Sequence, residues 1–162
     1  MTFIFDSIAT VDRWVLKIEK LLLCLAIPVM ILMGALQILS RFVIQTPIPW
    51  SEGLLTFLFV WTSFVGASLA LAGRTHFQVD LFTLFFPPYV QKILDIIVDI
   101  TVFGFCIFLV LEGNFLMWKN SRQIIGLLQI SIFWGFLCLP FSGGCMLLHT
   151  LTHLIQTLRG KN

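Results

Sequence analysis

From Gly53 to Gly73 the chain runs for 21 residues without one charged side chain. As an α-helix such a run reaches about 30 Å, the thickness of a bilayer hydrocarbon core. Pro49, Trp50 and Glu52 open the stretch, and Arg74, His76 and Asp80 close it. A Pro suits the first turn of a helix, a Trp suits the headgroup boundary, and polar side chains mark both exits. The pattern predicts a membrane-spanning helix over about Trp50–Gly73. Its second half gathers Gly66, Ala67, Ser68, Ala70, Ala72 and Gly73, small residues that let another helix approach closely.

The rest of the 162-residue chain follows the same logic. Leu21–Ser40 is uncharged and long enough to cross, with Pro28 as a candidate kink and Gly34–Ala35 as a second close-packing spot. About Ile93–Trp118 forms a third span, carrying Asp95 and Asp99 early and Glu112 late; Asp99 and Glu112 lie deep enough to need partners or water. Gln123–Leu158 contains no Asp, Glu, Lys or Arg; it predicts a lead-in helix and then a span over about Ile130–Leu151, bent near Pro140, Gly143 and Gly144. Only 11% of residues are charged, against about 25% in soluble domains. The expected fold is therefore an all-α integral membrane protein: one domain of four transmembrane helices with short amphipathic or interfacial segments.

Residues 1–20 lack the pattern of a cleaved leader. Val11, Trp14, Val15 and Ile18 recur at helical spacing while Asp12, Arg13, Lys17, Glu19 and Lys20 take other faces. That predicts an amphipathic lead-in, lying at the interface or extending the first span. Between spans one and two, Pro47 and Pro49 end one helix and start the next, with Thr46 or Ser51 as candidate caps. Phe77–Tyr89 is apolar but interrupted by Asp80 and a proline pair, and reads as an interfacial extension. Seven Lys and Arg residues fall on the N-terminus, second loop and C-terminus, and three on the other two loops. The positive-inside rule then places both termini in the cytoplasm.

Few residues suggest chemistry. Cys24, Cys106, Cys138 and Cys145 sit singly in apolar runs and read as packing residues. His149 and His153 share a helix face at i, i+4 spacing; a metal or haem iron could use such a pair, but two-histidine haem ligation needs facing helices, and an interfacial pair is the simpler reading. No nucleophile with its base, phosphate loop or paired-carboxylate site occurs, so neither an enzyme nor a cofactor or metal site is expected. The basic residues form no patch for nucleic acid. Arg74, His76 and Asp80 read either as a solvated helix end or as a contact set for another subunit. Glu52 reads as a dipole-favoured carboxylate or as one half of an intersubunit ion pair.

Trp50-Ser51-Glu52-Gly53, Gly66-Ala67, Arg74 and His76-Phe77-Gln78-Val79-Asp80 together resemble the small, Q-type (DctQ-like) membrane subunit of tripartite ATP-independent periplasmic (TRAP) transporters. That family commonly has a second acid where Gly53 stands. The resemblance implies a multi-pass protein of the bacterial inner membrane that pairs with a large M-type membrane subunit. It implies a periplasmic binding protein delivering an organic acid, such as a dicarboxylate or sialic acid, for sodium-driven uptake. The small subunit would act as scaffold, embedded in membrane lipids, with Trp50, Glu52, Gly66, Ala67, Ala70, Gly73, Arg74, His76 and Asp80 as interface or structural candidates. The competing expectation from the residues alone is a self-sufficient oligomeric channel or small carrier.

Overall fold

A computed structural model of the chain describes residues 2–46, 48–73 and 88–158. Its elements are α1 (Thr2–Phe42), α2 (Pro49–Ala72), α3 (Pro88–Lys119), a two-residue antiparallel pairing of β1 (Ile124–Ile125) with β2 (Ile130–Ser131), α4 (Ile132–Phe136) and α5 (Cys138–Leu158). Four helical stretches are long and apolar enough to cross a membrane: Thr10–Phe42, Pro49–Ala72, Tyr89–Lys119 and Ile132–Leu154. The all-α membrane fold is thus in place.

The N-terminal lead-in is not a separate interfacial helix. It continues into the first span as one helix of 41 residues, and Pro28 does not interrupt it. The turn before α2 departs from expectation: Ile48 is the N-cap and contributes no side-chain bond, while Ser51 Oγ donates back to the Ile48 carbonyl at 2.7 Å. Pro49 at the first helical position needs no such cap for its own nitrogen, which carries no hydrogen.

The lead-in helix expected before span four is replaced by a hairpin. Gly126 and Gln129 both take positive φ, which a helix does not allow, and a single 3₁₀ turn (Gly126–Leu128) separates β1 from β2. Ser131 fixes the exit: its Oγ accepts from the Phe133 amide and donates to the Ser121 carbonyl at 2.8 Å. The span is then divided between α4 and α5 at Leu137. Pro140 has no N–H for the Phe136 carbonyl four residues earlier, so the ladder loosens where the sequence suggested a bend.

The core lies where α3 crosses α5, with α2 packed on α5. Cys106, Leu109 and Met146 are buried there, flanked by Phe64, Leu71, Val102, Leu139 and Leu147. The crossing is close because two glycines permit it. A Cβ on Gly113 would stand 2.8 Å from Leu139 Cβ and 2.9 Å from Pro140 Cδ, and one on Gly143 would stand 2.9 Å from Val110 Cγ2. From the middle of α2, Trp61 Nε1 donates to the Trp134 carbonyl at 3.0 Å and its ring packs on Phe141. Helix α1 packs chiefly on α2 and leaves most of its apolar surface outward.

Candidate interface and a buried acid–histidine cluster

Two features stand out, one on the surface and one inside. The surface feature is a stripe along α2. Glu52, Thr56, Phe59, Ser63, Ala67, Ala70 and Gly73 are all exposed, at spacings of three or four that keep them on one helix face. Gly66 borders the stripe half-buried, and a Cβ built on it would meet nothing within 4 Å. The opposite face of α2 carries the buried Ser51, Val65 and Ser68. Trp50 is exposed at the start of the same helix.

The expected interface residues Trp50, Glu52, Ala67, Ala70 and Gly73 therefore lie on the outside of the bundle, beside the open position at Gly66. Arg74, His76 and Asp80 lie outside the described residues, as does most of the Phe77–Tyr89 extension. The close-packing role expected at Gly34–Ala35 is not seen: Gly34 faces open space and Ala35 is exposed. Glu112 has no bundle role either; it is exposed on α3.

The internal feature joins α1, α3 and α5. His149 Nδ1 is 2.6 Å from Asp12 Oδ1, and its Nε2 is 3.2 Å from Glu19 Oε2. One turn further along α5, His153 Nδ1 is 3.0 Å from Asp99 Oδ2. Glu19 is fully buried, and Asp99 and His149 nearly so. The two histidines therefore serve different neighbours: His149 holds α1 and His153 holds α3. The His149 ring turns into the bundle, and the His153 side chain, 31% exposed, reaches Asp99 from its edge. Asp99 has the partner its depth requires. Among the described residues no group of three or more His, Cys, Asp or Glu side chains is arranged to hold a metal ion.

The lead-in turns its apolar face outward and its acids toward the bundle. Val11, Trp14 and Ile18 are each at least half exposed, at 50%, 62% and 52%, while Asp12 and Glu19 turn inward. Lys17 lies over the Trp14 ring on that outer face, 5.1 Å from its centroid. Facing lipid, an apolar side chain has no reason to seek the interior, whereas a carboxylate does. Sequence reasoning missed Asp12 and Glu19 because their partner is more than a hundred residues away. The available signal was charge matching: acids on the first and third spans and two histidines on the last.

Comparison with known proteins answers which bundle this is. The family model of the DctQ component of tripartite ATP-independent periplasmic transporters matches residues 30–160. The chain belongs to this family. Relatives of this DctQ protein include a putative TRAP transporter small permease protein from Haemophilus influenzae, 32% identical over 119 residues, covering 69% of this chain and 73% of the relative. The sialic acid TRAP transporter permease protein SiaT of the same species is 36% identical over 105 residues, 64% of this chain. The isethionate TRAP transporter permease protein DctMQ of Oleidesulfovibrio alaskensis is 28% identical over 121 residues. The chain spans only 17% of the length of each of these last two relatives. It is a TRAP small permease subunit, a transporter component rather than a member of an enzyme class.

Proposed function

We propose that this DctQ protein, a single four-helix domain of the bacterial inner membrane with both termini in the cytoplasm, is the fixed scaffold of a TRAP uptake system. Its partner is the large M-type membrane subunit, which carries substrate and the driving sodium ions. A periplasmic binding protein delivers an organic acid to the pair; relatives named for sialic acid and isethionate support that substrate class. The observation that carries the reading is the outward stripe of α2. Small side chains are useful in lipid chiefly where another backbone must come near. In this bundle the close crossings are made at Gly113 and Gly143 instead, which leaves the Gly66–Gly73 surface for a second chain. Glu52 at the far end of the stripe supplies a carboxylate for a basic side chain of that partner, and Trp50 anchors the same end at the headgroups.

Photo-crosslinking tests this directly. A photoreactive side chain at Ala67 or Ala70, with the large subunit co-expressed, is expected to capture that subunit. A probe at Leu32, 70% exposed on α1 away from the stripe, is expected to capture lipid. Equal capture of the large subunit from both positions would remove the stripe as the contact surface.

A further inference from the structure

The contacts of His149 fix a proton count. Nδ1 faces Asp12 Oδ1 at 2.6 Å and Nε2 faces Glu19 Oε2 at 3.2 Å. Carboxylates accept but do not donate, so each contact needs a hydrogen between the nitrogen and the oxygen. A neutral imidazole carries one N–H. The second hydrogen must come from a second ring proton or from a protonated carboxyl group. Without it, one lone pair on the ring would lie against a carboxylate inside the bundle, with Glu19 fully buried and His149 4% exposed. Leaving two such acceptors face to face in a dry environment is costly.

We propose that Asp12, Glu19 and His149 form a proton-binding site, and that the bound proton fastens α1 to α5. With it the trio carries a net charge of −1; without it, −2. The proton is exchanged with solvent, and no other bond is made or broken. Among the described residues, the groups that face the site are uncharged or already engaged. From α2 the neighbour is Ser68, a buried hydroxyl beside the Glu19 carboxylate. From α5 come the Cys145 thiol, next to Glu19, and His153, one turn along and engaged with Asp99 of α3. Arg13, Lys17 and Lys20 of α1 are exposed on its outer side.

The proton cannot be a stand-in for a metal ion. The two carboxylates approach opposite edges of one ring, so their oxygens do not converge on a common point. The functional consequence is a pH-dependent joint. The attraction between α1 and α5 is present while the proton is held and is lost as pH rises and the proton leaves.

The test uses the full-length protein in nanodiscs, with ring-¹⁵N histidine and with spin labels at Leu21 on α1 and Leu151 on α5, both exposed. At neutral pH the expected result is a His149 ring with both nitrogens protonated, or a singly protonated ring together with a protonated-carboxyl infrared band that disappears in Glu19→Gln or Asp12→Asn. A singly protonated ring with no such band would overturn the site. On alkaline titration the label distance is expected to widen and broaden by several ångströms. Glu19→Gln supplies an amide donor to the ring without any extra proton, so its label distance is expected to stay narrow through the same titration. A wild-type distance that ignores the loss of the proton, or a Glu19→Gln distance that widens as the wild type does, would overturn the joint.

Discussion

Gly113 and Gly66 are both glycines in membrane helices, yet they occupy opposite environments. Around Gly113 the α3–α5 crossing leaves no room even for a methyl group; around Gly66 there is open space. The first glycine is consumed in folding this chain. The second makes no close contact within its own bundle, which is why it enters the proposed assembly surface. Separating small residues by what they touch, rather than by where they cluster in sequence, distinguishes the fold of this subunit from its assembly.

The sharpest break in that comparison would come from the inner side. His149→Ala leaves Asp12 and the buried Glu19 without their shared ring partner, a change expected to cost about 3–5 kcal/mol as for other broken buried pairs. It should appear as a large loss of folded protein by detergent-stability or thermal-melt assay. A melt like wild type would show that the cluster is wet and weak.

Gly113→Ala comes next. Its new methyl group would overlap Leu139 and the Pro140 ring, and overpacking of this kind costs about 1–3 kcal/mol. A lowered melting temperature is expected, and Gly143→Ala should repeat the effect because Val110 stands as close. Trp61→Phe removes the donor to the Trp134 carbonyl while keeping the ring, with an expected cost of about 0.5–1.5 kcal/mol in the same assay. If Trp61→Phe proved costlier than Gly113→Ala, the bundle would be held at the hairpin end and not at the crossing.

The four spans were legible from sequence because uncharged length is a direct physical requirement of a bilayer. The face each span turns inward was not. The spacing of Val11, Trp14, Val15 and Ile18 predicted an amphipathic lead-in but not what its polar face would meet; Asp12 and Glu19 are the residues the bundle encloses. The hairpin at Ile124–Ser131 was hidden because its apolar run continues unbroken into span four, and only the positive φ of Gly126 and Gln129 separates them. The interface candidates on α2 were readable as small residues, but their outward direction depended on Ser68 and Val65 taking the inner face. What decided those directions were contacts between distant parts of the chain, such as His149 with Glu19, for which local spacing carries no signal.

The smallest expected effect on folding belongs to Gly66→Leu, within about 0.5 kcal/mol for an unencumbered site, and it is also the most direct test of the division between fold and assembly. The measurement is co-purification of the large membrane subunit with the tagged variant, alongside the variant's own melt. The expected result is a melt like wild type with most of the large subunit lost, because the added side chain holds the partner helix away. A variant that melts normally and still brings down a full complement of the large subunit would contradict the assignment of α2's outer face as the assembly surface.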